Sequence, residues 1–364
     1  MDRRTLRVTY VLPKLVDHPV GGFKVHYQYA NELAARGHQV TVVHPATTGF
    51  VPSARELASF GAAALRRRLR GGGAVPWFAL DERVGSSNVV RLRPASLPDG
   101  DVLLLTAWQT AERTIGAPPR VGRSVQIVFD YEHWLESPAL RPRIARALGR
   151  PDVTRIATSA GVASLLEELG AHAVATVTPG LAAGEFGLDA PVAPRRPVVT
   201  FALRHGPSKD MATAFAAVAQ IRQAVPDAEI RCFGDPRQAA PATVRHLGRL
   251  EQRALRRCYN ETAVFLLTSR HEGWGLPAAE AMACGAAVVS TRNGGTEEFV
   301  RDGANGVLVP AADPGAVAAA AVRLLGDEDL RASLGARAAS EALQMTVERA
   351  TDRVEEVLRR VAHR

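Results

Sequence analysis

The chain has 364 residues, more than one hydrophobic core usually organises, so two domains are expected. Hydrophobic residues make up 46% and charged residues 23%, which excludes a disordered chain, and no apolar run reaches the length of a membrane span. The net charge of +8 suggests a polyanionic partner, but aromatics at 5%, never interleaved with arginines as a stacking platform, argue against nucleic acid.

In chain order, Met1-Asp2-Arg3-Arg4 passes directly into a buried strand over Leu6–Leu12. It lacks the long apolar stretch and cleavage site of a signal peptide, so a cytoplasmic protein is expected. A loop containing Gly21-Gly22 follows, then a helix from about Phe23 to Arg36 with Val25, Tyr29 and Leu33 on one face and Gly37 as its stop. Further strands are predicted at Gln39–Val43, Asn88–Leu92, Asp101–Thr106, Ser124–Phe129, Val153–Ala157 and Ala173–Val177. Between the last two, Ser159 caps a helix that ends at Gly170. Residues 187–197 are Pro-rich and aperiodic, the best linker candidate.

After it, strands are predicted at Val198–Leu203, Glu229–Phe233, Ala263–Leu267 and Ala287–Ser290. Helices begin at about Lys209, at Pro277 (ending at Cys284) and at Asp313-Pro314, and the tail is helical. Strands alternating with helices imply parallel sheets, and in such sheets ligands bind beyond the carboxyl ends of the strands. The resulting division is an N-terminal domain at 1–186, a linker, a C-terminal domain at 198–345, and a helix at 346–364 able to pack back on the N-terminal domain.

Chemistry-bearing residues cluster at those strand ends. After Ala263–Leu267 come Glu272, in a Gly-flanked loop, and Glu280, in the first turn of the helix that Pro277 opens. Carboxylates suit sugar hydroxyls, because each accepts two charged hydrogen bonds. After Val198–Leu203 come Arg204 and, five residues on, Lys209. Only three of the 45 basic residues are lysines (Lys14, Lys24 and Lys209), and a cation at a helix start opposes the helix dipole. Two cations converging on one point are what a leaving diphosphate needs without a metal. The plainer alternative is a solvated basic turn.

These two elements resemble the retaining glycosyltransferases of family 4. Glu272 and Glu280 match that family's Glu-x7-Glu spacing around Gly273-Trp274-Gly275-Leu276-Pro277, and Arg204 and Lys209 match its Gly-Arg-x4-Lys-Gly element. The two glycines of the latter are replaced by Leu203 and Asp210. The resemblance continues through Glu280-Ala281-Met282-Ala283-Cys284-Gly285, Gly294-Gly295-Thr296-Glu297-Glu298 and Asp302-Gly303-Ala304-Asn305-Gly306, and in the N-terminal half through Gly21-Gly22 and Arg36-Gly37-His38.

The resemblance implies an α/β chain of the GT-B fold, two Rossmann-like domains with parallel sheets facing a central cleft. It implies retaining, metal-independent transfer of a sugar from a nucleotide sugar to a sugar, lipid-linked or natural-product acceptor. Arg204 and Lys209 would neutralise the diphosphate, Glu280 would bind the ribose, Glu272 would hold the transferred sugar, and Gly21 and Gly22 would let amides approach the phosphates. Gly273, Trp274, Gly275 and Leu276 would line the donor. No cofactor is expected beyond the donor itself. A nucleotide-sugar epimerase or a silent nucleotide-sugar binder on the same fold is the alternative.

Three further segments bear on this expectation. Asp130-Tyr131-Glu132-His133-Trp134-Leu135-Glu136 crowds acids and aromatics at a strand end, and His133 and Asp130 are the candidate sugar or acceptor contacts. Leu65-Arg66-Arg67-Arg68-Leu69-Arg70 reads as a solvated basic loop or as a weak peripheral contact with the inner membrane face. Asp99-Gly100-Asp101 has the form of a metal-binding Asp-x-Asp, but it precedes a strand instead of following one, so a turn and no metal are expected.

Overall fold

A computed structural model describes residues 4–16, 18–47, 58, 61, 75, 77–129 and 137–363. The chain divides into two compact units. Unit 1 comprises Met1–Tyr131, Ala139–Gly180 and Val347–Arg364, and unit 2 comprises Glu132–Pro138 and Leu181–Thr346.

Unit 1 contains, in order, β1 (Arg7–Val11), α1 (Gly21–Ala35), β2 (Gln39–Thr47), β3 (Gly85–Arg91), β4 (Val102–Leu105), α2 (Trp108–Arg113), β5 (Arg123–Val128), α3 (Arg141–Leu148), β6 (Val153–Ala157), α4 (Ala160–Glu168) and β7 (Ala173–Thr176). The strands form one parallel sheet in the order β3-β2-β1-β4-β5-β6-β7. β4 is buried at every residue, as a strand covered on both faces must be.

Gly21 and Gly22 do not lie in a loop, as the sequence suggested; they open α1. Val20 is extended, and its carbonyl accepts from the Lys24 amide at 2.9 Å, closing a first helical turn that contains both glycines. The helix stops where Arg36-Gly37-His38 predicts. The Gly37 amide donates to Ala34 O at 3.0 Å and the His38 amide to Leu33 O at 3.1 Å, the paired bonds of a Schellman end.

Unit 2 begins its sheet with β8 (Val198–Leu203), followed by α5 (Met211–Ala224), β9 (Glu229–Gly234), β10 (Arg245–His246), α6 (Gln252–Glu261), β11 (Val264–Leu267), α7 (Leu276–Ala283), β12 (Ala287–Thr291), β13 (Val307–Val309), α8 (Pro314–Gly326) and α9 (Glu328–Ala342). The order is β10-β9-β8-β11-β12-β13, again parallel. Alternate residues of β8 enter opposite cores: Val199, Phe201 and Leu203 pack with α5 and α8, and Ala202 packs with Phe265 and the alanines of α7.

The Pro-rich stretch at 187–197 is held against unit 2. Asn260 of α6 accepts from the Asp189 amide at 2.8 Å and donates to Gly187 O at 2.9 Å, and Arg195 donates to Thr262 O at 2.8 Å and Cys284 O at 2.7 Å. The last helix, α10 (Val347–Ala362), belongs to unit 1 and packs on α1. There His38 Nδ1 accepts from the Leu6 amide at 3.0 Å, and its Nε2 lies 3.1 Å from Glu355.

The three cysteines are free and buried. Among the described residues, no helix is long and apolar enough to cross a membrane.

Candidate active site

Two strand ends of unit 2 supply the site. β8 ends at Leu203 and delivers Arg204; a tight turn over Pro207–Lys209 then brings Lys209 round before α5 begins. Neighbouring β11 ends at Leu267 and delivers Ser269 and Glu272. All these side chains meet at one carboxylate. Arg204 Nη2 donates to Glu272 Oε1 at 2.5 Å and to Ser269 Oγ at 2.7 Å, Ser269 Oγ donates to Glu272 Oε1 at 2.6 Å, and Lys209 Nζ donates to Glu272 Oε2 at 3.1 Å.

Lys209 is only 7% exposed and Glu272 6%, so these charges interact with little screening by water. Burial alone would raise the Glu272 carboxyl, but the Arg204 and Lys209 charges, with hydrogen bonds from Arg204 and Ser269, outweigh it and hold the group down at about 2. Burial and the Arg270 and Lys209 charges lower the His271 imidazole.

Asp210 explains how the turn tolerates the loss of the resembling family's glycine. It sits in the left-handed region at φ 45°, ψ 55°, which aspartate accepts more readily than most residues. Its carboxylate caps α5, accepting from the Thr213 amide at 3.3 Å and hydroxyl at 2.9 Å, and it also accepts from Arg270 Nε at 2.9 Å. The Arg270 amide in turn donates to Ser208 O at 2.7 Å, so the two loops that carry the cations and Glu272 are fastened to each other.

Glu280 lies on α7, buried, and accepts from the Tyr259 hydroxyl of α6 at 3.0 Å. Burial and the adjacent Glu280 carboxylate push the Tyr259 phenol up, so it stays a donor. The two acids of the Glu-x7-Glu element therefore have different settings: Glu272 is held by cations, and Glu280 takes a neutral hydroxyl.

Between them, Trp274 turns its ring into the core against Phe299, centroids 5.2 Å apart, so what it offers a ligand is main chain. Gly275 has φ +99°, and Leu276, packed on the same core, starts α7. The Glu272 amide donates to Asn293 O at 3.0 Å, and a Cβ on Gly295 would stand 2.7 Å from Glu272 O and 2.8 Å from Trp274 N. The 293–296 loop is thus a floor under the 272–274 loop. Ser269, Asn293, Gly295 and Tyr259 were not read from the sequence as site residues. Ser269, three positions before Glu272, carried the one usable signal.

Elsewhere, Gly21 and Gly22 stand at the N-terminus of α1, where amides of a first helical turn are free to donate. Asp130, His133 and Leu65–Arg70 lie outside the described residues. In the Asp99-Gly100-Asp101 turn both carboxylates are committed to arginines: Asp99 to Arg120 at 2.5 Å, and Asp101 to Arg4 at 3.6 Å and Arg7 at 3.5 Å. Among the described residues no group of three or more His, Cys, Asp or Glu is placed to hold a metal ion.

Residues 196–327 match the family described as Glycosyl transferases group 1. Over 358 residues the chain is 28% identical to a phosphatidyl-myo-inositol mannosyltransferase of Mycolicibacterium smegmatis, covering 92% of this chain and 88% of that protein. A D-inositol 3-phosphate glycosyltransferase of Xylanimonas cellulosilytica is 46% identical over 93 residues, 25% of this chain and 22% of its own. Among solved structures, HepE of Anabaena in complex with UDP-glucose superposes with a TM-score of 0.75 at 16% identity, covering 97% of this chain and 99% of that one.

Proposed function

We propose that this chain is a glycosyltransferase that moves a sugar from a nucleoside diphosphate to an acceptor hydroxyl, with retention and without a metal, a reading supported by the match of residues 196–327 to the Glycosyl transferases group 1 family and by the GT-B fold shared with HepE. The observation that carries the reading is the convergence of Arg204 and Lys209 on one buried carboxylate at the ends of β8 and β11. Two fixed cations there suit a diphosphate. The acceptor oxygen forms a bond to the anomeric carbon as the bond from that carbon to the diphosphate breaks. The acceptor proton passes to a departing phosphate oxygen, and Arg204 and Lys209 meet the charge that develops.

Glu280 receives the ribose hydroxyls and Glu272 the hydroxyls of the transferred sugar. The main chain at Gly273, Trp274, Gly275 and Leu276 lines the donor. In the N-terminal half, Gly21, Gly22, His133 and Asp130 are the proposed contacts for phosphate, sugar or acceptor. Sugar, lipid-linked and natural-product acceptors are all chemically compatible.

Thermal-shift screening against UDP-, GDP- and dTDP-sugars tests the reading directly, because a bound donor stabilises by mass action. At least one should raise the melting temperature, and transfer from that donor should survive EDTA. Activity abolished by EDTA and restored by Mg²⁺ or Mn²⁺ would overturn the metal-free mechanism.

A further inference from the structure

Glu272 already occupies both cations that the diphosphate needs. Its two oxygens take Arg204 and Lys209 separately, and Ser269 braces the Arg204 side by accepting from the guanidinium while donating to the carboxylate. A diphosphate arriving at Arg204 and Lys209 therefore meets cations whose charge is partly spent on a resident anion.

We propose that Glu272 is a displaceable counter-anion that makes the site prefer an intact nucleotide sugar over the nucleoside diphosphate left after transfer. The proposal rests on the reading of Arg204 and Lys209 as the diphosphate-binding cations. When a diphosphate takes the cations, the Glu272 carboxylate keeps the Ser269 hydroxyl but loses both counter-charges while still buried, and a buried anion stripped of its cations is costly. A nucleotide sugar supplies donors in their place, because the hydroxyls of its sugar can bond to the released carboxylate. A bare nucleoside diphosphate brings no such hydroxyls, so it must share the cations with Glu272 or leave that carboxylate without a counter-charge.

The exchange needs only a side-chain rotation. The main chain stays pinned by the bond from the Glu272 amide to Asn293 O at 3.0 Å and by the close approach of Gly295. Once the sugar has moved to the acceptor, Glu272 returns to Arg204 and Lys209 and helps expel the spent nucleotide. The same side chain thus holds the sugar before transfer and competes with the product after it.

The test is isothermal titration of wild type, Glu272→Gln and Glu272→Ala with UDP and UDP-glucose, or with GDP and GDP-mannose, whichever pair stabilises the wild type. Both variants should bind the bare nucleoside diphosphate about tenfold more tightly or better, the size expected when one charge-assisted competitor is removed. Their binding of the nucleotide sugar should not improve to the same extent. Should a variant fold poorly, the nucleotide-induced rise in its melting temperature should still exceed that of the wild type. A wild type that binds and turns over donor, beside variants that bind the diphosphate no more tightly, overturns the proposal and leaves the donor-site reading standing. A wild type that binds neither pair overturns the donor-site reading and this proposal with it.

Discussion

Arg204 and Lys209 differ in kind as well as position. Arg204 is part-buried and multiply bonded, spanning Ser269 and Glu272 from one nitrogen, while its carbonyl is held by Gln238 Nε2 at 2.8 Å. Lys209 is a compact point charge in a nearly closed space, where a broad planar guanidinium would need room. Charge develops on the leaving diphosphate as the glycosidic bond breaks, so both cations should act more on the transition state than on the bound donor. Arg204→Ala and Lys209→Ala should each lower turnover by roughly 10²–10³-fold, the cost typical of losing one preorganised donor. The double variant should lose less than the product of the single losses, since both act on one leaving group. Lys209→Arg should recover activity only in part. Steady-state kinetics decide: full activity in Lys209→Arg, with less than about a threefold loss in Arg204→Ala, would reduce the pair to a structural ion-pair cluster around Glu272 that does not meet the diphosphate.

At the scale of elements, the site depends on a loop that carries no catalytic group. Asn293 folds the 293–296 turn by accepting from the Gly295 amide at 3.1 Å and the Thr296 amide at 3.0 Å, and Gly295 then lies flat against the main chain of Glu272 and Trp274. Gly295→Ala should push the Glu272 loop outward and so cut turnover sharply with little change in secondary structure. Kinetics beside circular dichroism would check this, and an unchanged turnover would mean that the loops are not coupled. The sequence made the chemistry-bearing loops visible and this support invisible, for a physical reason. Arg204 and Ser269 are bonded across 65 positions and Tyr259 and Glu280 across 21, contacts that leave no period in the chain. The same logic divides the elements. Val198–Leu203 was legible with its boundaries, because burial on both faces writes itself into consecutive residues, and Val153–Ala157 was legible too although Thr154 and Arg155 interrupt it. β10, with two residues, and β13, with three, were too short to show any pattern. α6 was hidden because only its C-terminal Cys258, Tyr259 and Asn260 are buried, too few to mark a stripe. The start of α1 was misplaced because Gly21 and Gly22 read as a turn, whereas the preceding extended Val20 sets the first helical bond.

For the whole molecule, the chain crosses between its two compact units more than once, and each unit holds more than one acid well below its ordinary titration range, including one that ties separate elements together. In unit 2 this is Glu272. In unit 1 it is Glu355 of α10: burial would raise it, but hydrogen bonds from Arg36, Arg359 and His38 prevail and hold it at about 2. The bonds from Arg36 and His38 also fasten α10 to the end of α1, so the protonation state of one carboxyl bears on whether the last helix stays attached. Both groups have an ordinary value of 4.5 when freed from these partners. Between that value and about 2, the unfolded chain takes up protons that the folded chain refuses. The stabilisation from these two groups should therefore be complete above about pH 4.5, constant through neutrality, and lost as the pH drops toward 2. Glu355→Gln should reduce that acid dependence in unit 1 alone, and Glu272→Gln in unit 2 alone, since neither variant has the carboxyl to protonate, while Asp81 in unit 1 and Glu229 in unit 2 keep part of it. Hydrogen exchange read peptide by peptide from pH 3 to 6 separates the units, because opening of α10 and opening of the β8–β11 loops are reported by different peptides. If Glu355→Gln leaves the acid loss of protection in α10 as steep as in the wild type, then the cluster around His38 does not set the stability of that attachment, and the remaining acids of α10, Glu348, Asp352 and Glu356, become the groups to replace next.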